Sequence, residues 1–214
     1  MRPNQVTEMR LVYRLGYTLF KIGGIALFDH RVIHRERLVE EGSMLIACNH
    51  VSFLDPPMVG ICYRKEIFFL ARKTLFAGPA KWFYENWNSI PVDQENPDFT
   101  SLKKIVKLLL EGKRVLIFPE GNRSSDGQPQ KGEPGVGLVV AKARTRVQPL
   151  RIFGSFESLP RGASFPKKSR LRIVVGHPIE FSEEDLSARG RHAYQHLSDR
   201  IMDAIGELRL PDGE

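Results

Sequence analysis

Six short apolar runs, each separated from the next by a helical or polar stretch, constrain this chain most. They are Met44–Cys48, Ile67–Ala71, Ser89–Asp93, Arg114–Phe118, Gln148–Phe153 and Leu171–Gly176. Apolar runs of this length, bounded by turn signals, read as buried strands. Helical patterns fill the intervals. The clearest spans Ser101 to Glu111, with Leu102, Ile105, Val106 and Leu109 on one face and Gly112 as terminator. Pro56 and Pro57 suit the first turn of another helix, with Asp55 as its cap. A last helix, Glu183 to Leu208, carries Tyr194, Leu197, Ile201, Ile205 and Leu208 on one side. Such alternation predicts an α/β fold: a single domain with a largely parallel central sheet flanked by helices. At 214 residues the chain is long enough to bury that core. The polar, Gly/Pro-rich stretch from Gly121 to Gly137 reads as its longest loop.

Ahead of the sheet, Met9 to Phe28 reads as an amphipathic helix. Leu11, Val12, Leu15, Leu19 and Ile22 form a stripe, with Ile25, Ala26, Leu27 and Phe28 beyond it. Arg10, Arg14 and Lys21 mark the other side, and Tyr13 and Tyr17 suit interfacial anchors. The stripe fits a helix lying in a membrane surface or a helix packed on its own domain, as most amphipathic helices are. No stretch approaches the ~18 uninterrupted apolar residues of a spanning helix. Glu8, Arg10, Arg14 and Lys21 interrupt the order of a secretory signal. The expectation is a protein neither secreted nor integral.

The formal charge of +7 favours anionic partners: a membrane surface, an acidic carrier protein or a phosphorylated substrate. Nucleic acid is disfavoured, because no finger spacing or ribonucleoprotein motif occurs and the basic residues are dispersed. The densest basic run, Lys167, Lys168, Arg170 and Arg172, reads as a solvated hairpin that could also meet anionic lipid or an acidic carrier. Two cysteines, Cys48 and Cys62, lie in apolar contexts and read as buried and reduced, which points to a cytoplasm-facing setting. His30, His34, His177, His192 and His196 show no metal-ligand pattern, although His192 and His196 stand four apart. No metal is expected.

Chemistry concentrates in two blocks. Asn49-His50-Val51-Ser52-Phe53-Leu54-Asp55 follows the first strand. A five-residue step on an ideal helix would leave His50 and Asp55 about 140° apart. They meet only if His50 lies on the strand-to-helix turn and Asp55 at the helix start. There the carboxylate can hold one ring nitrogen and leave the other as a base. Ser52 could be read as a nucleophile in a triad, but the chain lacks the Gly-x-Ser-x-Gly elbow that exposes such a serine. The second block, Phe118-Pro119-Glu120-Gly121-Asn122-Arg123-Ser124, exits another strand. Arg123 offers a fork for phosphate or carboxylate, Gly121 lets the backbone approach closely, and Glu120 can orient Arg123 or accept from a substrate hydroxyl.

These blocks resemble the lysophosphatidic acid acyltransferase (1-acylglycerol-3-phosphate acyltransferase) family over roughly residues 44 to 180. Asn49–Pro56 resembles the family's catalytic block. Phe69-Leu70-Ala71-Arg72-Lys73-Thr74-Leu75-Phe76 resembles the stretch with a basic residue near the acceptor phosphate, best matched by Arg72. Ile90–Gln94, Phe118–Ser124 and Val147–Leu150 resemble the remaining blocks. The resemblance implies His50 as base, Asp55 as its orienter, and Glu120, Gly121, Arg123, Arg72 and Lys73 as acceptor contacts. It implies a fatty acyl thioester donor (acyl carrier protein or coenzyme A), a lysolipid acceptor and no cofactor. It also implies residues 1–30 as a membrane-associating segment and 31–214 as the acyltransferase domain. The protein would sit peripherally or monotopically on the cytoplasmic face of the membrane. A backbone amide near the His50 turn is the expected oxyanion donor. Two positions depart from the family: Gln94 replaces its usual Arg and Asn122 its Thr. Losing a phosphate-pairing guanidinium removes about 1.5–3 kcal/mol, which Arg72, Lys73 or Lys131 could restore. Gln94 leaves room for another lysolipid acceptor, such as a lyso-ornithine lipid. A non-catalytic lipid-binding protein, or an esterase, is the alternative from another class.

Overall fold

Met44–Cys48 (β2) is buried along its whole length, and its side chains alternate between two cores. Met44, Ile46 and Cys48 enter one, and Leu45 and Ala47 enter the other. A strand covered on both faces has no polar side to show, which is why it reads as a continuous apolar run. The computed structural model describes residues 9–78, 81–92, 99–187 and 189–214. Arg31–Ile33 (β1), Arg114–Ile117 (β5), Val147–Phe153 (β6) and Arg172–Val175 (β7) complete a five-stranded sheet in the order β1-β7-β6-β2-β5. Phe69–Arg72 (β3) and Ser89–Val92 (β4) form a parallel pair beside it. Phe68 joins the two sheets, donating to the Arg114 carbonyl (2.9 Å) and accepting from the Leu116 amide (2.8 Å). Neighbouring strands run parallel except β6 and β7, which are antiparallel.

Helices cover both faces, so the fold is the expected α/β type. Leu11–Phe28 (α1) and Asp55–Gly60 (α2) contribute Tyr13, Phe28, Met58 and Val59 to one core. Phe99–Leu110 (α4), Pro134–Ala143 (α5) and Arg191–Glu207 (α8) contribute Ile105, Leu109, Val139, Ile201 and Ile205 to the other. Lys81–Asn86 (α3) and Ser155–Ser158 (α6) are short connectors. Cys48 and Cys62 are buried and free, and burial pushes the Cys62 thiol up to about 12.

Several elements depart from the sequence reading. The single helix expected from Glu183 to Leu208 is two: Glu183–Ser187 (α7) and α8. Ser182 and Asp185 close a reciprocal cap on α7, each side chain accepting the other's amide at 3.1 Å. Gly190, at φ 100°, then turns the chain into α8. The expected long loop stops at Glu133, where Pro134 opens α5. Arg172 does not belong to a solvated basic run, being buried and paired with Asp29 (2.8 Å) and Glu214 (2.5 Å). Asp93 and Gln94 lie outside the described residues.

On α1 the packed side is not the leucine stripe. Tyr13, Gly16, Gly24 and Phe28 are buried. A Cβ on Gly16 would stand 2.4 Å from the Trp87 indole nitrogen, so only glycine lets the helix lie this close. Tyr13, Phe20, Phe69 and Phe83 gather around Trp87. Tyr13 is therefore a core residue rather than an interfacial anchor; its hydroxyl accepts from the Ile67 amide (3.3 Å), and burial raises its pKa. Tyr17 also turns inward, donating to the Ile61 carbonyl (3.3 Å). Leu11, Leu15, Leu19, Ile22 and Ile25 point outward with 60–71% of their surface exposed. By length and composition alone, Leu11–Phe28 is long and apolar enough to cross a membrane, which the search for uninterrupted runs missed.

Candidate active site

The carboxyl ends of β2, β5 and β6 each lead into one wall of a single site. After β2, the turn through His50 bends into α2. Asp55 is fully buried and faces backward instead of capping α2, which has no side-chain cap. Its Oδ2 accepts from His50 Nδ1 (2.8 Å) and from the amides of Val51 (2.7 Å) and Ser52 (2.7 Å). Its Oδ1 accepts from the Ser155 hydroxyl (2.7 Å), which arrives at the end of β6. An ionised carboxylate only accepts, so the facing ring nitrogen carries the hydrogen and Nε2 is left with a lone pair. The imidazole stacks on Phe118, with centroids 4.0 Å apart and planes 17° from parallel. Ser52 is buried, and its hydroxyl donates to the Leu159 carbonyl (2.8 Å), so it braces the turn. Asn49 stitches β2 to β6 by exchanging hydrogen bonds with the Ile152 backbone at 3.1 and 2.8 Å.

The segment after β5 grips the same turn. Glu120 is buried and accepts from the amides of His50 (2.9 Å) and Gln130 (3.2 Å). It therefore positions backbone instead of orienting Arg123, which it does not touch. Burial pushes its carboxyl up to about 7, against the pull of those two amides. Ser124 donates its amide to the His50 carbonyl (2.8 Å). Gly121 sits at φ 71°, a left-handed turn that a side chain would strain. The amides of His50, Val51 and Ser52 all donate to carboxylates and are already engaged. Leu54 donates to Ser52 Oγ (3.2 Å), leaving Phe53 as the residue of the 50–54 turn whose amide has no partner among the described residues.

Arginines crowd the outer side. The Arg123 guanidinium lies 3.5 Å above the Phe53 ring centroid, and its Nη1 is buried without a partner among the described residues. Burial first, then the charges of Arg72 and Arg161, lower its pKa. Neither Arg72, Arg123 nor Arg161 has a salt-bridge partner among the described residues. The charges of Arg72 and Arg161 both bear on Arg123, the Asp55 carboxylate opposes them, and an anion arriving there would relieve the repulsion. Lys73 and Lys131 are exposed, and neither lines the adjoining cavity. That cavity, of about 440 Å³, is lined by His50 and Arg72 together with Leu70, Leu102, Phe118 and Val136. Its volume lies in the range of small-molecule pockets, and its walls are mostly apolar. Among the described residues no three His, Cys, Asp or Glu side chains could share a metal. His192 and His196 are exposed on α8.

A family model described as Acyltransferase matches residues 29–153, more than half of the chain. The 1-acyl-sn-glycerol-3-phosphate acyltransferase of Bacillus subtilis is 30% identical over 185 residues, spanning 83% of this chain and 89% of its own. The chain belongs to the acyltransferase family. A Helicobacter pylori relative, also a 1-acyl-sn-glycerol-3-phosphate acyltransferase, is 30% identical over 171 residues, 72% of this acyltransferase and 70% of its own chain. In fold, the acyltransferase matches the crystal structure of the 1-acyl-sn-glycerophosphate acyltransferase PlsC from Thermotoga maritima. The TM-score is 0.71 at 21% identity, covering 93% of this chain and 81% of that one.

Sequence reading missed two residues of the candidate site. Ser155 holds the second oxygen of Asp55 across 100 positions of sequence. Its signal was the Gly154-Ser155 step at a strand end, where a left-handed glycine starts a helical turn. Arg161 lies in a Pro-Arg-Gly turn, and no local pattern links it to Arg123.

Proposed function

We propose that this acyltransferase moves a fatty acyl group from a thioester, on acyl carrier protein or coenzyme A, to the free hydroxyl of lysophosphatidic acid, giving phosphatidic acid. The observation that carries the reading is the meeting of a His50 ring, fixed through Nδ1 by Asp55, with an apolar cavity and with three arginines that have no salt-bridge partner among the described residues. The names of the curated relatives point to the same acceptor. His50 Nε2 takes the hydroxyl proton as the oxygen bonds to the thioester carbonyl carbon. The tetrahedral intermediate then expels the thiolate, the C–S bond breaks, and the imidazolium returns the proton to sulfur. The chemistry calls for no metal, cofactor or covalent enzyme intermediate. Arg123, with Arg72 and Arg161, takes the acceptor phosphate, while the cavity takes an acyl chain. Glu120 and Gly121 shape the turn that presents Arg123.

Residues 1–30 lay the outward leucines of α1 into the membrane surface, and residues 31–214 form the catalytic domain beside it. The protein works from the cytoplasmic face, where acyl thioesters and anionic headgroups are both at hand. An assay of purified protein with an acyl thioester and a panel of lysolipids, following thiol release and acylated product, tests the reading. Stoichiometric thiol and phosphatidic acid are expected. Thiol release without acylated lipid would make the protein a thioesterase, and preference for an acceptor lacking phosphate would reassign the arginines.

A further inference from the structure

Between α6 and β7 the chain makes an excursion, Leu159 to Leu171, that the catalytic reading leaves unused beyond Arg161. It contains Phe165, whose surface is 83% exposed, more than that of any other exposed large apolar side chain among the described residues. Lys167, Lys168 and Arg170 follow, all exposed and without a salt-bridge partner among the described residues. No acidic residue occurs between Ser158 and Leu171. The base of this loop is built. Buried Ser158 accepts the Lys167 amide on its carbonyl (2.8 Å) and donates its hydroxyl to the Lys167 carbonyl (2.8 Å). Ala163 closes a turn onto Pro160 (3.1 Å). Phe165 is thus held out in water by a braced turn, with Pro166 restricting it further.

Two links give this loop its place. The Leu171 amide donates to the Phe28 carbonyl (2.8 Å), so the loop leaves the protein beside the last turn of α1, next to the outward row that ends in Ile25 and Leu27. At its other end Leu159 accepts the Ser52 hydroxyl from the His50 turn. An apolar tip, a cluster of cations behind it, and continuity with the exposed face of α1 match a bilayer in depth order: ring among the acyl chains, ammonium groups at the headgroups. An acidic protein would account for the cations but leave Phe165 without an apolar receptor.

We propose that Pro160–Arg170 is a second membrane contact, which seats Phe165 in the interface and Lys167, Lys168 and Arg170 on anionic headgroups. It extends the membrane reading of α1 and gives the domain a second point of attachment beside the last turn of that helix. With both contacts engaged, the His50 turn is held against the surface from which the acceptor is drawn.

Flotation with vesicles of phosphatidylcholine containing about one-third phosphatidylglycerol, using full-length protein, tests this contact. Each basic residue near an anionic surface is worth roughly fivefold in partitioning, so the Lys167→Ala/Lys168→Ala double variant should bind at least about tenfold more weakly. On pure phosphatidylcholine that variant should match the wild type. Phe165→Ser should bind more weakly to both. Both variants should melt as the wild type does and keep activity on short-chain monomeric lysolipid while losing it on vesicles. A Leu15→Glu/Leu19→Glu variant reports on α1 separately, and its unchanged flotation would overturn the α1 reading whatever the loop does. Wild-type flotation of both loop variants would overturn the loop proposal. So would a raised KM for acyl carrier protein with flotation unchanged, which would mark the loop as a donor-docking site.

Discussion

The His50 turn and the arginine cluster stand side by side and are held together in opposite ways. Around His50 nearly every polar group has its partner: Asp55 accepts four hydrogen bonds, Glu120 two, and the Phe118 ring backs the imidazole. The arginine cluster has like charges, a buried Nη1 without a partner among the described residues, and support from one aromatic face. A base must hold its geometry before substrate arrives, so its orientation is built into the fold. A clamp gains from remaining unfinished, because the arriving anion supplies the missing partner and relieves the repulsion. The difference predicts that damage to the first region lowers turnover, and damage to the second weakens recognition of the acceptor.

The largest effect belongs to His50. His50→Ala should leave melting unchanged and lower kcat by at least about 10²-fold, as loss of a general base does. Near-normal turnover in the folded variant would remove the mechanism. Asp55→Asn should also lose turnover, about tenfold or more, through a less well held imidazole. Asp55→Ala should in addition destabilise the protein by several kcal/mol, since it strands the buried amides of Val51 and Ser52 and the buried Ser155 hydroxyl at about 1–3 kcal/mol each.

Arg123→Ala should act on the other axis, raising the acceptor KM about 10–100-fold with a much smaller change in kcat. Arg123→Lys should restore little, because an ammonium lacks the fork. Arg161→Ala should shift the same parameter by less, its side chain being exposed. If only the donor KM moves, the cluster belongs to the thioester. Inorganic phosphate should raise the melting temperature of the wild type and do so less for Arg123→Ala, because a ligand stabilises the form that binds it.

Glu120 gives the smallest and most specific signal. Its folded pKa, raised to about 7 by burial, exceeds the ordinary carboxylate value. Stability from this group is then fully present below about pH 4 and is lost as pH rises through about 7. Compared with Glu120→Gln, which cannot titrate, the wild-type melting temperature should decline between about pH 5 and 8. Parallel curves for the two proteins would show that the carboxylate is already ionised in the fold.

Most of the sheet was legible because its strands are short and buried on both faces. Met44–Cys48 needed no correction, and Ile67–Ala71 was displaced by only two residues at its start. Residues whose signal is not periodic escaped. Arg31–Ile33 is too short to show a pattern, and α5 hides behind Pro134 and two glycines. The His50 and Asp55 pairing was readable, but the direction of the Asp55 carboxylate was not. A helix cap and a backward-facing acceptor look alike in sequence, and Ser155 decides between them from across the fold. On α1 the stripe was legible and the packed opposite side was not. Tyr13, Gly16 and Phe28 pack the opposite side, so deleting residues 1–28 would open the core around Trp87, and point changes such as Leu15→Glu are the cleaner probe of the membrane.

The division between a preset base and a clamp completed by its ligand comes down to one comparison of acceptors. Steady-state kinetics with lysophosphatidic acid and with the uncharged monoacylglycerol of the same chain, in wild type, His50→Ala and Arg123→Ala, measures it. Wild type should favour the phosphate-bearing acceptor through KM. Arg123→Ala should lose most of that preference while retaining turnover, and His50→Ala should lose turnover on both acceptors while retaining the preference. An Arg123→Ala enzyme that discriminates as well as the wild type would contradict the account.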